Sequence, residues 1–364
     1  MAFEADAPQP ECSTSLDAKL RFLCSPDAHG GQAGMRIELI ETHMSWLVLG
    51  PDRVLKLKKP IRRPFLDFTT LAAREWNARE ELRLNRRLAA PIYRGLVVLV
   101  KRDGRMRLVA EHGRQAHDET LDWLVAMRRV PREQLADHML RAGTATPQQL
   151  DRLAALLLAF YADAAVSTAT PDEYVARFEH EQALNRELLL RGEPLAPAGA
   201  LPYARATVER YDAALRRRAH LLRDRVREHR IVDGHGDLRP EHVGFVETPV
   251  VIDALEFNAA MRQVDPLDEL AYFALECRML GAGWAGERVL ARAIAAWGAP
   301  PPGLVELYGA FRALLRARLS LAHLLDPTPR DPARWVPQAR LYLDEASAAL
   351  DAIDAIDRPE PPAG

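Results

Sequence analysis

The sequence has few cysteines, no long apolar run and almost no net charge. Its 364 residues include three cysteines, Cys12, Cys24 and Cys277, whose spacing fits no metal or redox motif and excludes a disulfide scaffold. No apolar stretch approaches the ~20 residues of a membrane span, and the acidic start of the chain lacks a signal-peptide pattern. A net charge of −2 supplies no basic field for nucleic acid. We therefore expect a cytoplasmic protein with no membrane or nucleic-acid partner.

The patterning divides the chain into a β-rich first part and a helical second part. Alternating apolar residues predict strands in the first part, around one long periodic helix at 69–88. The second part is rich in Ala, Leu and Arg with helical periodicity. An α+β fold with two lobes follows. The expected boundaries are 1–34 for a tail with a short helix, 35–130 for the β-rich lobe, 131–353 for the helical lobe, and 354–364 for a second tail.

The segment GHGDLRPEH carries the residues best suited to chemistry. Asp237 follows a Gly-His-Gly turn, and Pro240 keeps the next residues out of a regular helix, so Asp237 is expected on a loop. A carboxylate there can accept or orient a hydroxyl proton during attack on a phosphoryl group. His242 could bind a divalent cation or phosphates, and Asp253 ends an apolar run with the hard oxygen that Mg²⁺ prefers. The pattern favours a magnesium-nucleotide phosphotransferase over a simple turn.

These motifs resemble a known family. GHGDLRPEH, followed by VVIDALEF and VDPLDELA, resembles the aminoglycoside phosphotransferase-like kinases, a branch of the protein-kinase fold. ETHMSWLVL and VLKLKKP are similar to an uncharacterised bacterial group of such proteins, some fused to a P-loop ATPase domain; no GxxxxGK[ST] motif occurs here. The resemblance implies a two-lobed protein-kinase-like fold, with a small β-rich N-lobe and a larger, mainly helical C-lobe. It also implies a phosphotransferase that transfers a phosphoryl group from ATP to a hydroxyl of a small molecule, with Mg²⁺ or alternatively Mn²⁺ as the metal.

The resemblance assigns roles in the second lobe. It implies that Asp237 is the catalytic carboxylate, that His235 is a structural residue of the loop, and that Asp253 binds metal. Asp268, in the DPLDELA segment, would be a carboxylate that stabilises the lobe.

Position 242 departs from the family pattern. His242 stands where the family has a metal-binding Asn, and imidazole suits softer metals better than Mg²⁺. The histidine therefore raises the question of which metal the site prefers and whether the protein turns over substrate. Glu256 lies close to Asp253 in the chain and is either an additional oxygen ligand or a surface or hydrogen-bonding residue.

The first lobe should supply a strand lysine for the α and β phosphates, paired with a helix glutamate, as the resemblance implies. Lys56 and Lys58 share one face of a predicted strand because side chains alternate. Lys56 is preferred, and Lys58 is expected to face solvent. Glu81 is preferred over Glu80 and Glu75 because it lies on the packed side of its helix.

The nucleotide surface is less clearly marked. No GxGxxG loop is present, and the turn ending at Ser45 takes its position, so Ser45 or nearby backbone amides are predicted to contact phosphate. A linker between the lobes is expected near 123–129, where Val125 and Met127 would either contact adenine or simply pack in the core. The acceptor stays open among aminoglycoside-, sugar- and amino-alcohol-like molecules. A nucleotide-binding pseudokinase and a protein-modifying kinase or nucleotidyl transferase are the alternatives, and the oligomeric state is unknown.

Overall fold

The chain divides into two compact units. The first comprises Met1–Pro131 with Glu256–Asn258, and the second comprises Arg132–Leu255 with Ala259–Gly364. The computed structural model describes residues 14–31, 35–63, 66–191, 199–326 and 328–358. Residues 1–13, 32–34 and 359–364 of the two expected tails therefore lie outside the described residues.

The first unit is built around an antiparallel sheet. Its described helices and strands are α1 Leu16–Leu23, β1 Glu38–Glu41, β2 Ser45–Leu49, β3 Arg53–Lys58, β4 Arg62–Arg63, β5 Leu66–Asp67, α2 Leu71–Ala89, β6 Tyr93–Arg102, β7 Arg105–Ala110 and β8 Glu119–Arg128. Six strands pair in the order β1-β2-β3-β8-β6-β7, and β4 pairs with β5 separately. The Thr70 hydroxyl caps α2 by accepting from the Ala73 amide, at 3.1 Å.

The two faces of this sheet have different chemistry because side chains alternate along β3. Leu55 and Leu57 are fully buried and pack in a core cluster with Leu23 of α1. Lys56 and Lys58 lie on the opposite face and contact Glu81 of α2. A single strand thus supplies apolar residues to the core and cations to a polar cluster.

The expected linker near 123–129 is wrong. These residues belong to β8, which runs between β3 and β6 and is almost entirely buried. Its apolar run, WLVAM, is typical of a strand covered on both faces, a pattern that periodicity alone does not separate from other buried segments. The chain passes from the first unit to the second after Pro131.

The second unit is mainly helical. Its described helices and strands are α3 Ala136–Arg141, α4 Pro147–Asp163, α5 Pro171–Leu189, α6 Ala204–Arg227, β9 Val232–Asp233, β10 Val243–Phe245, β11 Pro249–Val251, β12 Gln263–Val264, α7 Pro266–Met279, α8 Gly283–Trp297, α9 Leu304–Ala322 and α10 Pro332–Ile356. α4 and α5 begin with complete capping boxes, from Thr146 and Gln149 and from Thr170 and Glu173. α10 continues past residue 354, where the second tail was expected to begin.

The core of this unit is a cluster of apolar side chains contributed by α5, α6, α7, α9 and α10. α7 and α8 approach each other closely at Gly286, where an added Cβ would lie 2.3 Å from the Ala274 Cα. Polar pairs join α7 to α9: the Asp265 carboxylate accepts from the Tyr308 hydroxyl at 3.0 Å, and Asp268 pairs with Arg312. Among the described residues, no helix is both long and apolar enough to cross a bilayer.

Candidate active site

A buried carboxylate shapes the His-Gly-Asp loop. Glu269 of α7 accepts the backbone N–H of His235 at 3.1 Å, the N–H of Gly236 and the Tyr161 hydroxyl at 2.8 Å. Burial raises the pKa of Glu269, while these hydrogen bonds oppose the rise. Gly234 has to be glycine, because an added Cβ would lie 2.7 Å from a Glu269 oxygen. Sequence reasoning missed Glu269, although it follows Asp268 directly in the DPLDELA segment.

His235 is a fully buried structural residue of this loop. Its Nε2 lies 2.9 Å from the Ile252 carbonyl, and its Nδ1 accepts the Asp237 amide N–H at 3.3 Å. The ring is therefore neutral, with its proton on Nε2. Burial, and then the nearby His242, lower the pKa of His235 to about 4. The imidazole thus fixes the backbone of Asp237 relative to the strand that precedes Asp253.

Asp237 lies at the front of the loop, with 28% of its side chain exposed. Arg239 Nη2 donates to Oδ2 at 2.8 Å, and the Tyr272 hydroxyl donates to Oδ1 at 3.1 Å. Burial acts to raise the pKa of Asp237, but the charges of Arg239 and Arg316, together with the hydrogen bond from Arg239, outweigh it and hold the pKa at about 2. The carboxylate is therefore ionised at neutral pH. Sequence reasoning did not single out Arg239 or Tyr272.

His242 presents one ring nitrogen toward Asp253. Its Nδ1 lies 2.8 Å from the Asp237 carbonyl, so this nitrogen carries the proton and donates. Nε2 keeps its lone pair, 3.7 Å from Asp253 Oδ2 and 3.3 Å from Arg239 Nη2. Metal–ligand bonds of about 2.1 Å place two ligands of one ion no more than about 4.2 Å apart, so Nε2 and Oδ2 fit a shared cation. The Arg239 guanidinium beside Nε2 opposes a cation there.

Asp253 has a left-handed backbone, with φ at 63°. Such a conformation is uncommon outside glycine, although Asp tolerates it better than most residues. The preceding residue is held on both sides, because the Ile252 amide donates to the His242 carbonyl at 2.8 Å and the Ile252 carbonyl accepts from His235. These hydrogen bonds fix the residue that precedes Asp253, whose own side chain is 48% exposed.

The first unit contains the predicted lysine and glutamate. Lys56 Nζ lies 2.8 Å from Glu81 Oε1, and Lys58 Nζ lies 2.5 Å from Glu81 Oε2. Glu80 and Glu75 instead pair with arginines of their own helix. The expectation that Lys58 faces solvent is wrong, because only 1% of it is exposed. Two carboxylates, Glu81 and Glu256, neutralise its buried charge. Glu256 is thus a hydrogen-bonding residue in the structure.

The other nucleotide candidates lie on the lysine face of the sheet. Ser45 is directly opposite Lys58, and Val125 is directly opposite Lys56. Ser45 is buried, and its Oγ has no hydrogen-bond partner among the described residues. Val125 is fully buried, and Met127 is nearly so. Because directly opposed residues of antiparallel strands point to the same side, these side chains share a surface with the lysines.

Asp268 occupies a structural position. Arg312 of α9 donates to its two carboxylate oxygens at 2.7 and 2.6 Å, and both side chains are buried. A buried bidentate pair of this kind fixes the relative position of two helices. It lies next to Glu269, so the same turn of α7 supports both the helix packing and the His-Gly-Asp loop.

Comparison with known proteins gives relatives without an assigned activity. No protein-family model matches the chain. Two uncharacterised proteins from Mycobacterium tuberculosis and one from Mycobacterium bovis are each 30% identical to it over 333 residues. The alignment covers 89% of this chain but only 63% of each relative, so the chain spans less than two thirds of their length.

Solved structures identify the fold. The GDP and kanamycin complex of the phosphotransferase APH(2″) has a TM-score of 0.50 at 15% identity, covering 90% of this chain and 98% of that one. A thermostable mutant of a second aminoglycoside phosphotransferase, in ternary complex with AMP-PNP and hygromycin B, has a TM-score of 0.51 at 12% identity, covering 91% and 97%. These similarities confirm the α+β class and the resemblance predicted from the motifs. The chain therefore has the two-lobed, protein-kinase-like fold of the aminoglycoside phosphotransferases.

Proposed function

We propose that this chain is a phosphotransferase that moves the terminal phosphoryl group of ATP to a hydroxyl of a small molecule. One observation carries the proposal: Asp237 is an ionised carboxylate on a rigid loop that also presents His242 within one ion's reach of Asp253. The fold, shared with two aminoglycoside phosphotransferases, supports it. The acceptor would be aminoglycoside-, sugar- or amino-alcohol-like.

Asp237 would accept a hydrogen bond from the acceptor hydroxyl and orient its oxygen for attack on the γ-phosphorus. A new P–O bond forms, the bond to the β-phosphate oxygen breaks, and ADP leaves. With a pKa of about 2, Asp237 is a weak base, so the hydroxyl proton would pass to its carboxylate late, after the new bond has formed. Catalysis then depends on positioning and on charge neutralisation. Tyr272 and Arg239 would hold the carboxylate in place.

The remaining groups would bind the nucleotide and the metal. When bound, Mg²⁺ or Mn²⁺ supplies charge neutralisation at the phosphates, and His242 Nε2 and Asp253 Oδ2 are the atoms that would hold it. Lys56, oriented by Glu81, would bind the α and β phosphates. The Ser45 hydroxyl, which has no hydrogen-bond partner in the described part of the chain, would contact phosphate, and Val125 and Met127 would line the adenine surface.

A coupled ADP-release assay on a panel of sugars, amino alcohols and aminoglycosides tests the proposal. With an accepted substrate, Asp237→Asn should lower kcat by about 10²-fold or more, because the acceptor loses its orienting charge. Affinity for AMP-PNP should change by less than about threefold, since the nucleotide does not depend on this carboxylate. Asp163→Asn is the matched control, because Asp163 is an exposed aspartate at the end of α4. Equal turnover in the Asp237 variant and the control would refute the assignment.

A nucleotide-binding protein without turnover is the second candidate. The observation that favours it is the position of Arg239, which pairs with Asp237 and also contacts His242 Nε2. An arginine in this position occupies the two groups that catalysis would need. This candidate predicts that ATP with Mg²⁺ stabilises the protein in a thermal-shift assay, while no acceptor of the panel leads to ADP release. That pair of results would favour it over the first candidate.

A further inference from the structure

Two lysines of β3 share one glutamate but have different surroundings. Lys58 is enclosed: its ammonium contacts Glu81 and Glu256 and lies 5.7 Å from the centre of the Phe68 ring. Lys56 also contacts Glu81, but 12% of its side chain is exposed, against 1% for Lys58. The two cations on one face of a strand are therefore not equivalent.

Lys58 is poorly placed to meet a phosphate. An ammonium has three donors, and two acidic partners with almost no solvent access leave no route for an incoming anion. Replacing either carboxylate by a phosphate would leave a buried anion without its cation, which is unfavourable. Lys56 is the more exposed of the two lysines, and its contact with Glu81 orients it.

Glu256 belongs to the same unit as the lysines, although it comes from a distant part of the sequence. It is 6% exposed, and it accepts a hydrogen bond from Lys58, 198 positions earlier in the chain. The four side chains Lys56, Lys58, Glu81 and Glu256 have a net charge of zero. Removing Lys58 alone would leave one uncompensated negative charge in a buried cluster.

We propose that the lysines divide two tasks. Lys58 and Glu256 form a positioning pair that fixes Glu81, and Lys56 is the lysine that contacts the nucleotide phosphates. This inference rests on the proposed function, because it assumes that the chain binds a nucleotide. It gives Glu256 a role other than that of a metal ligand.

Two measurements test the division, with the full chain and with AMP-PNP and Mg²⁺ as the probe. The first is urea unfolding without nucleotide, for Lys58→Met, Glu256→Gln and the double variant. The charge-balanced double variant should be more stable than the sum of the two single-variant losses in stability predicts. This difference, the coupling between the two positions, should be at least about tenfold in the unfolding equilibrium constant. The matched pairing of Lys56→Met with Glu256→Gln should show a smaller coupling, because it is Lys58 that donates a hydrogen bond to Glu256.

The second measurement is the affinity for AMP-PNP by calorimetry. Lys56→Met should weaken binding by about tenfold or more, and it should lower the urea midpoint less than Lys58→Met does, because Lys56 is the more exposed of the two lysines. The double variant, although stable, should bind about three- to tenfold more weakly, because Glu81 has lost one of its anchors. Lys58→Arg, which keeps the charge, should bind AMP-PNP more tightly than the double variant does. A purely structural role for Lys58 would not change affinity in a stable variant.

The outcomes separate this inference from the proposed function. Wild-type affinity in the stable double variant, or no coupling in the urea cycle, would overturn the positioning role. Normal binding by Lys56→Met would overturn the role of Lys56. If the wild type itself does not bind AMP-PNP, the proposed function fails, and the inference fails with it.

Discussion

Protonation of His235 should destabilise the folded protein below neutral pH. The ring is fully buried, its Nδ1 accepts the Asp237 amide N–H, and its Nε2–H donates to the Ile252 carbonyl. A second proton would remove the acceptor and place an imidazolium in the interior. Burial, and then the nearby His242, lower the pKa of His235 from 6.5 to about 4.

The size and sign of the effect follow from linkage. Because the pKa of His235 is lower in the folded state, the unfolded chain binds the proton first. The stabilisation is complete above about pH 6.5 and is lost as the pH falls toward 4. Each tenfold change in proton affinity is about 1.4 kcal/mol, so the full loss is about 3 kcal/mol. That is a large share of the 5–15 kcal/mol typical of a folded protein.

Urea unfolding followed by circular dichroism, at about pH 7 and about pH 4.5, measures this loss. His235→Gln is the control, because it keeps a donor for Ile252 but does not titrate. Asp237 loses its stabilisation only at lower pH, and Glu269 is present in both proteins, so the difference between them isolates His235. The wild type should lose about 2–3 kcal/mol more than the variant over this interval. Equal losses would refute the argument.

Two other predictions concern packing and metal choice. Gly286→Ala should destabilise the protein by about 2 kcal/mol or more in thermal unfolding, because the new methyl group would overlap Ala274. Gly309→Ala is the control: none of the described residues lies within 4 Å of its added Cβ, so this variant should be as stable as the wild type or more stable. Stability that is unchanged by Gly286→Ala would contradict the close approach of α7 and α8. His242→Asn should shift the metal preference from Mn²⁺ toward Mg²⁺, because an amide oxygen replaces an imidazole nitrogen. Competition of Mg²⁺ with bound Mn²⁺, followed by electron paramagnetic resonance of Mn²⁺, measures this preference. An unchanged preference would remove His242 from the ligand set.

Most of the fold was predictable from periodicity. The helix predicted at 69–88 is α2, and the apolar run that ends at Asp253 contains β11 of the β10–β11 hairpin. The errors have physical causes. β8 is buried on both faces, so it lacks the alternation that marks a half-exposed strand. The second tail was expected to begin at 354, but α10 continues to Ile356, and Ile353 in its last turn packs in the core cluster.

The candidate site was predictable where motifs or alternation carry information. Asp237, His242 and Asp253 come together as the motif spacing suggested, and Lys56 meets Glu81. The surroundings of Lys58 were not predictable, because they depend on Glu256, which is far away in sequence. Likewise, nothing in the sequence shows that Arg239 pairs with Asp237, because a side chain two residues away in a loop can point in any direction.

The left-handed backbone at Asp253 limits how this position can change during evolution. Asn and Gly also tolerate that conformation, and the genetic code reaches both from Asp by a single base substitution. A β-branched or bulky residue would carry a backbone cost of about 1–2 kcal/mol whatever its side-chain chemistry. The accessible variants therefore keep the shape of the hairpin while removing the charge. If Asp253 holds the cation as proposed, Asp253→Asn or Asp253→Gly should remove the charge while the backbone keeps its conformation.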